Sequence, residues 1–193
     1  MTIDSKRATR DMTTKTVTRE TKETRIRCEI ARGTGVATIS TTIPFLDHML
    51  VAFARYSGLD LTMHATGDLP HHLLEDVAIV VGAAVAAVLP ATAARYGDRT
   101  IPMDDALVHC AIDLGGRPYY RGPLPSSLYE HFMRSFADNA KATVHLRVLR
   151  GTDRHHVVEA AFKALGLAVR DAFVDTGAVF STKGGVALRV EDA

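Results

Sequence analysis

The sequence predicts an α+β fold made of two copies of a β-β-α-β-α unit. Strand-like and helix-like segments follow each other in the same order in the two halves of the chain. A pattern of histidines also occurs once in each half, at matching places. The order lacks the regular β-α-β alternation that a doubly wound sheet requires. We therefore expect each half to lay a pair of helices on one sheet, with a pseudo-twofold relation between the halves.

A β-hairpin is predicted at the start of the first half. Residues 16–30 are rich in β-branched side chains, and residues 36–43 form a second stretch of the same kind. Gly33 and Gly35 lie between the two stretches, where glycine permits a turn. The sequence therefore predicts that these two stretches pair with each other.

A helix, a strand and a second helix are predicted to follow. Pro44 suits the first position of a helix, and Gly58 suits the residue after its end. Residues 59–65 alternate between apolar and polar side chains, as a strand does. The next helix is predicted over residues 71–90, and its apolar run, residues 77–89, is too short to span a bilayer. We expect a buried core helix and no membrane partner.

The second half repeats this order. Residues 106–114 and 117–121 are predicted strands, residues 128–140 a helix, residues 142–149 an alternating strand, and residues 154–174 a helix. The repetition predicts that the two histidine patterns occupy equivalent places in the fold.

The chain divides into three predicted segments. Residues 1–15 are expected to form a disordered tail, because they are basic and rich in threonine and lack an apolar stretch. Residues 16–97 are the first half-repeat, and residues 98–193 are the second half-repeat.

Charge and cysteine content exclude several classes of protein. The formal net charge of +1 provides no broad basic surface, so we expect no nucleic-acid partner. Cys28 and Cys110 form no CxxC motif and no disulfide framework, which fits a reducing cytoplasm. Both cysteines are predicted to lie in strands or in the core.

Metal binding is indicated by a histidine pattern that occurs twice. His48 precedes the motif HHLLE at residues 71–75, and His131 precedes the motif HHVVE at residues 155–159. The lone histidine lies 23 residues before the pair in the first copy and 24 in the second, and six of the nine histidines belong to the pattern. Together the copies offer six imidazoles and two carboxylates. This set is enough for two transition-metal ions with open positions for a substrate.

Helix geometry separates the ligands within each motif. In a helix, the first histidine and the glutamate of HHxxE share one face, and the second histidine lies about 100° around the axis. We therefore expect neighbouring histidines to bind different metals, at sites between helices of one subunit or of neighbouring subunits. One such motif could equally be a set of exposed surface histidines. A second copy at matched spacing makes that alternative a poor explanation.

Phosphate binding is indicated at three glycine-rich places. Arg95 precedes a Tyr-Gly-Asp sequence, Arg117 follows two glycines, and Ser181 and Lys183 precede another pair of glycines. Guanidinium groups give paired hydrogen bonds to phosphate, and glycines let backbone amides approach it. Taken singly, each of these residues would also fit a solvated surface charge.

The remaining polar residues give weaker signals. From the sequence alone, Glu23 reads as an exposed carboxylate in a strand segment. Asp104 and Asp105 follow a proline in a turn, where there is little reason to expect catalysis. Three further histidines lie on strand-like segments without pattern partners and are predicted to be structural: His64, His109 and His145.

Taken together, these segments resemble the imidazoleglycerol-phosphate dehydratase family, over about residues 16–188. The matching segments, in chain order, are residues 21–24 (TKET), 45–50 (FLDHML), 71–76 (HHLLED), 113–119, 130–132 (EHF), 155–163 and 181–184 (STKG).

The resemblance implies a carbon-oxygen lyase (hydro-lyase) of histidine biosynthesis. Such an enzyme dehydrates D-erythro-imidazole glycerol phosphate to imidazole acetol phosphate, by way of an imidazolate held by two Mn(II) ions per active site. The metal ligands that the resemblance carries over are His48, His71, His72, Glu75, His131, His155, His156 and Glu159. The phosphate-binding positions are Arg95, Arg117, Ser181 and Lys183, and Glu23 matches the acidic residue implicated in proton transfer.

The resemblance also implies a fold and an assembly. The family packs four helices between two four-stranded sheets, in a ribosomal protein S5 domain 2-like arrangement. Its subunits form metal-dependent homo-oligomers of 24 subunits, with active sites at subunit contacts. The end of the second half-repeat would then bind substrate. A cytoplasmic enzyme with a small-molecule phosphate substrate is expected.

This chain departs from the family pattern near the predicted site. The short turn at residues 67–70 runs straight into the histidine pair, where many members carry an acidic, histidine-containing stretch. Ala52 and Tyr56 stand where members often have Gln and His, at positions associated with substrate contacts.

Two other interpretations of the metal motifs stay open. One is a di-metal carboxylate-type oxidoreductase in a four-helix bundle, whose Glu-x-x-His order is reversed in this chain. The other is a non-catalytic metal-binding shell, which would not need Arg95, Arg117 or Lys183.

Overall fold

The computed structural model describes residues 13–179, and these form eight strands and four helices. The elements are β1 (Lys15–Glu20), β2 (Thr24–Arg32), β3 (Ala37–Ser40), α1 (Pro44–Ser57), β4 (Leu59–Gly67), α2 (Pro70–Val88), β5 (Tyr96–Met103), β6 (Ala106–Asp113), β7 (Tyr119–Arg121), α3 (Ser127–Asn139), β8 (Thr143–Arg150) and α4 (Arg154–Ala172). Most of the predicted tail at residues 1–15 lies outside the described residues, and Lys15 begins β1.

Two four-stranded sheets of the same topology hold the helices. The strand order is β1-β2-β4-β3 in one sheet and β5-β6-β8-β7 in the other. In each sheet the first three strands are antiparallel, and the last strand runs parallel to its neighbour. Helices α1 and α2 pack on the first sheet, and α3 and α4 pack on the second. The predicted duplicated α+β fold, with four helices between two sheets, is confirmed.

The predicted hairpin between residues 16–30 and 36–43 is wrong. Residues 16–30 contain a hairpin of their own, because β1 and β2 pair antiparallel with Glu20 opposite Arg25. Strand β3 lies at the far edge of the sheet and runs parallel to β4. The turn between β1 and β2 contains no glycine, and threonine hydroxyls stabilise it instead. It therefore lacks the turn signal that glycine provides.

Strand β5 is an element that the pattern did not predict. It lies at the edge of the second sheet, most of its residues are at least partly exposed, and it contains Pro102. Proline is tolerated at an edge because its missing N–H is not needed there. The dividing point between residues 97 and 98 falls inside β5. The other predicted strands and helices agree with the structure to within two residues at each end.

Two glycines allow close packing between helices of the two halves. A Cβ on Gly82 of α2 would lie 2.6 Å from the carbonyl oxygen of Phe136 in α3. A Cβ on Gly166 of α4 would lie 3.0 Å from the carbonyl oxygen of Phe53 in α1. A Cβ would force the neighbouring backbone to shift, by more at Gly82 than at Gly166. The absence of a Cβ therefore brings α2 against α3, and α1 against α4.

The core contains the apolar helix and both cysteines, as predicted. By length and composition α2 could cross a bilayer, yet Val77, Val81 and Val85 are buried inside the protein. Cys28 in β2 and Cys110 in β6 are free, buried thiols. Burial raises the pKa of each thiol to about 12.

Candidate metal centre

The predicted metal ligands lie near the N-terminal ends of the four helices. His48 belongs to α1, His131 to α3, and the two histidine pairs begin α2 and α4. Pro70 is the first residue of α2, where its missing N–H costs nothing. Asp153 caps α4 by accepting backbone N–H groups from the histidine pair of that helix. These local signals start α2 and α4 directly before their histidine pairs.

Two clusters bring together six of the eight predicted ligands. One cluster joins His48 of α1 with His155 and Glu159 of α4, and the other joins His71 and Glu75 of α2 with His131 of α3. In each cluster, one ligand atom from every residue lies within 4.8 Å of the others.

The first cluster centres on Glu159. Glu159 Oε2 lies 3.4 Å from His48 Nε2 and 3.2 Å from His155 Nε2. The Glu159 side chain is only 8 % exposed, and its Oε1 lies 2.9 Å from Lys163 Nζ. Burial alone would raise the pKa of Glu159, but Lys163 and His48 hold that pKa below its usual value. The carboxylate is therefore kept in the form that binds a metal.

The second cluster centres on Glu75 and is more open. Glu75 Oε2 lies 3.9 Å from His71 Nε2, and its Oε1 lies 3.7 Å from His131 Nε2. The Glu75 side chain is 38 % exposed. No lysine ion pair is found at Glu75 within residues 13–179, so the two clusters differ in charge balance although their ligand types match.

His72 and His156 do not join these clusters within one chain. His72 Nδ1 lies 2.9 Å from Asp68 Oδ1, and His156 Nδ1 lies 2.8 Å from Asp105 Oδ1. The hydrogen bond to Asp68 raises the pKa of His72, and the hydrogen bond to Asp105 raises the pKa of His156. Since a carboxylate only accepts, Nδ1 donates in each pair and Nε2 is the nitrogen that could bind a metal. The second histidine of each pair thus faces different surroundings from the first.

The donor chemistry of the clusters fits a divalent transition metal. Two imidazole nitrogens and one carboxylate oxygen form a mixed set of the kind that binds manganese, iron or zinc. Three protein ligands leave coordination positions for a fourth protein ligand or for substrate. The residues therefore suit a catalytic metal, whichever ion is resident.

Two of the four predicted phosphate-binding residues lie within the described part of the chain. Arg95 has a left-handed backbone with φ of 70°, and its Nη2 lies 2.9 Å from Asp113 Oδ1. Arg117 is exposed and lies in the segment that joins β6 to β7. Ser181 and Lys183 lie outside the described residues.

Glu23 lies in the exposed turn between β1 and β2, beside the second histidine of the first pair. Its Oε2 is 3.6 Å from His72 Nδ1, and its side chain is 55 % exposed. The turn brings Glu23 close to a predicted metal ligand although 49 positions separate the two in sequence numbering.

Several residues near the site were not identified from sequence. Asp68 and Asp105 orient histidines, and Lys163 neutralises Glu159. Asp68 lies four residues before His72, and Lys163 lies four residues after Glu159. This spacing, about one helical turn, could have indicated both contacts from the sequence. Asp105 has no such signal, because the contact joins distant parts of the chain. Among the predicted structural histidines, His109 Nδ1 lies 2.9 Å from Thr100 Oγ1, within the second sheet.

Comparison with known proteins supports the resemblance noted in the sequence. The family model of imidazoleglycerol-phosphate dehydratase matches residues 41–169. The dehydratase of Chlorobium chlorochromatii is 45 % identical over 188 residues, covering 89 % of this chain and 96 % of the relative. The dehydratase of Salinispora arenicola is 46 % identical over 195 residues, covering 87 % of this chain and 96 % of the relative.

Solved structures give the same result. The crystal structure of the enzyme from Pyrococcus furiosus is 41 % identical, with a TM-score of 0.80, covering 88 % of this chain and 100 % of that chain. The enzyme from Staphylococcus aureus is 33 % identical, with a TM-score of 0.76, covering 85 % of this chain and 100 % of that chain. The chain therefore belongs to the imidazoleglycerol-phosphate dehydratase family, a family of hydro-lyases.

Proposed function

We propose that the protein dehydrates D-erythro-imidazole glycerol phosphate to imidazole acetol phosphate, a step of histidine biosynthesis, with two Mn(II) ions per active site. The observation that carries this proposal is the pair of clusters, each made of two histidines and one glutamate from two helices. Family membership supports the reaction, and the clusters provide places for the metals. The enzyme is proposed to act in the cytoplasm, where buried free thiols such as Cys28 stay reduced.

All eight predicted residues are proposed as metal ligands: His48, His71, His72, Glu75, His131, His155, His156 and Glu159. Three of them converge in each cluster within one chain. We assign Nε2 of His72 and of His156 to metals at contacts with neighbouring subunits, because Nδ1 of each is already hydrogen-bonded to a carboxylate. The active sites would then be completed by a homo-oligomer, proposed to contain 24 subunits.

The reaction removes a proton from carbon, and Glu23 is the residue proposed to move it. Bound metal ions would act as Lewis acids that stabilise the deprotonated imidazole ring, which helps the hydroxyl on the attached carbon to leave. The exposed carboxylate of Glu23 accepts the carbon-bound proton. This proton comes from the middle carbon, and the carbon–oxygen bond that breaks is the one at the carbon bearing the ring, so the hydroxyl leaves with a proton as water. The resulting enol tautomerises to the ketone.

The substrate phosphate is proposed to be held by Arg95, Arg117, Ser181 and Lys183. Arg117 is exposed and can turn its guanidinium toward a phosphate, to which it gives paired hydrogen bonds. Arg95 is oriented by Asp113 and by the carbonyl oxygen of Leu114, which accepts a hydrogen bond from Arg95 Nε at 3.0 Å. Arg95 lies at the C-terminal end of α4, where its backbone N–H donates to the carbonyl oxygen of Ala172, whereas His155 lies about 25 Å away at the N-terminal end. The phosphate and the metals of one active site are therefore proposed to be held by different subunits.

The test is an assay of the purified protein on imidazole glycerol phosphate, with and without Mn(II). We expect formation of imidazole acetol phosphate that depends on added metal. A protein that binds Mn(II) and assembles but does not turn over the substrate would be a metal-binding shell, and the proposal would be wrong. The carboxylate-type oxidoreductase alternative requires a four-helix bundle. The helices of this protein instead pack on two four-stranded sheets.

A further inference from the structure

A buried polar network joins the turn that carries Glu23 to the helix that carries Glu75. Asp76, the next residue of α2, is 7 % exposed, and its Oδ2 accepts a hydrogen bond from Thr24 Oγ1 at 2.5 Å. Its Oδ1 lies 2.8 Å from Arg19 Nε in β1. Thr24 is itself buried and directly follows Glu23. The network therefore connects the proposed proton carrier to the backbone of a proposed metal-binding helix.

The network continues into the backbone of the turn. Because the Thr24 hydroxyl donates to a carboxylate, its oxygen accepts from Thr21 Oγ1, 3.2 Å away. Thr21 Oγ1 in turn accepts the backbone N–H of Glu23 at 3.1 Å and that of Thr24 at 3.0 Å. The carbonyl oxygen of Glu23 accepts the backbone N–H of Asp68 at 3.0 Å. A chain of hydrogen bonds that begins at Asp76 thus fixes the backbone position of Glu23.

The second half of the chain shows what the fold itself needs at this place. By strand register and by alignment of the HHxxE motifs, the counterparts are Ile101 for Arg19, Ala106 for Thr24, and Ala160 for Asp76. All three counterparts are apolar, and both alanines are buried. The same fold position is therefore filled by a polar network in one half and by apolar packing in the other.

Contacts of two equivalent glycines support this alignment. A Cβ on Gly67 would meet Leu73 and Thr24, and a Cβ on Gly151 would meet Val157 and Ala106. Leu73 and Val157 occupy the same position in the two HHxxE motifs. Thr24 and Ala106 therefore occupy the same place in the two halves.

Apolar packing is usually at least as stabilising as a buried charged network, because removing charges from water is costly. The fold therefore does not require Asp76, Thr24 and Arg19, since the second half is built without such a network. The second turn is held in another way, with Asp105 Oδ2 accepting the backbone N–H groups of Thr152 and Asp153. What is particular to the first half is the turn that carries Glu23.

We propose that Asp76, acting through the Thr24 hydroxyl, is a positioning residue that holds Glu23 in its working place relative to the metal ligands of α2. This inference rests on the proposed function for the role of Glu23. The claim that the network keeps the turn ordered does not rest on the proposed function, because it concerns hydrogen bonds alone.

A matched pair of variants tests the hydroxyl. Thr24→Val keeps the shape of the side chain and removes the hydrogen bond to Asp76, whereas Thr24→Ser keeps the hydroxyl. We expect Thr24→Val to lower kcat about 10- to 100-fold, because small misplacement of a catalytic group has effects of this size. KM, Mn(II) content and particle size should stay near the wild-type values, and Thr24→Ser should restore most of kcat. Wild-type kcat in Thr24→Val would overturn the proposal.

A triple variant that carries the three apolar side chains of the second half provides a second test if Thr24→Val fails to fold. Arg19→Ile, Thr24→Ala and Asp76→Ala together copy the side chains of the second half. We expect the triple variant to fold, assemble and bind Mn(II), with kcat lowered like that of Thr24→Val. A triple variant with full kcat overturns the proposal. So does one that cannot fold, because the network would then be structural.

Amide hydrogen exchange of the Mn(II)-loaded wild-type and Thr24→Val proteins separates this inference from the proposed function. The Glu23 amide should exchange at least about tenfold faster in Thr24→Val, while amides in β6 stay unchanged. Unchanged exchange at Glu23 overturns the positioning role even if the protein is an active dehydratase. Faster exchange in a protein whose wild type lacks dehydratase activity would instead reject the proposed function and leave the network holding the turn.

Discussion

Glu75 Oε1 in α2 lies 3.7 Å from His131 Nε2 in α3, although the two residues belong to different halves of the chain. The equivalent relation joins Glu159 in α4 to His48 in α1. Each cluster therefore combines ligands from both halves. Because a shared metal stabilises whichever state brings its ligands together, metal binding should couple the two halves and stabilise the fold.

Removing the metals should dissociate the assembly. Within one chain each cluster offers three ligands, and the other proposed ligands, His72 and His156, face different surroundings. If neighbouring subunits supply the missing ligands, chelation should abolish activity and shrink the particle measured by light scattering. Restoring Mn(II) should rebuild both. An intact large particle after verified loss of metal would show that the sites do not depend on subunit contacts.

Replacing Glu23 with Gln should lower turnover without disturbing the metal sites. The Glu23 side chain is 55 % exposed and belongs to neither cluster. Loss of general acid–base help typically lowers the rate by about 10²- to 10⁴-fold. Metal content and particle size serve as controls and should match those of the wild type. Turnover near the wild-type rate would move the proton-transfer role to Asp104 or Asp105.

The two glutamates of the clusters should differ in their effect on stability. Glu159→Gln leaves Lys163 Nζ, which belongs to a side chain only 16 % exposed, without its carboxylate partner. A lost hydrogen bond to a charged group costs about 1.5–3 kcal/mol. Glu75→Gln, at a more exposed position, should cost less than about 0.5 kcal/mol. Urea unfolding of the two metal-free variants measures the difference, and equal losses would contradict the importance of Lys163.

The buried thiols should make the protein less stable at high pH. Burial raises the pKa of Cys28 and of Cys110 to about 12, whereas an unfolded thiol ionises near pH 8.5. Below the pKa of the unfolded thiols, the thiols do not reduce the free energy of unfolding. As the pH rises from there toward the folded pKa, the thiols ionise more readily in the unfolded state, so the free energy of unfolding falls. At pH 10 the loss is about 1–2 kcal/mol per thiol.

The double variant Cys28→Val, Cys110→Val is the test of this pH dependence. Its free energy of unfolding should fall less between pH 7.5 and pH 10 than that of the wild type. In the native protein, both thiols should also react slowly with an alkylating reagent at pH 8. The same pH slope in the two proteins would show that the thiols do not cause the loss.

Much of the fold follows from local sequence pattern. Pro44 and Gly58 bracket α1, alternation marks β4 and β8, and the apolar run of α2 predicts a buried helix, because capping and periodicity act over neighbouring residues. The doubled histidine motif likewise predicts two equivalent sites. Six of its eight members converge in two clusters of the described chain.

Pairing between distant elements was decided by tertiary structure alone. The position of β3 beside β4, the pairing of α1 with α4 and of α2 with α3 in the clusters, and the contact of Asp105 with His156 all join residues far apart in sequence. These contacts depend on sheet register and on how closely helices approach, as at Gly82. Periodicity can show which face of an element is apolar. It carries no information on which other element that face, or a neighbouring carboxylate, will meet.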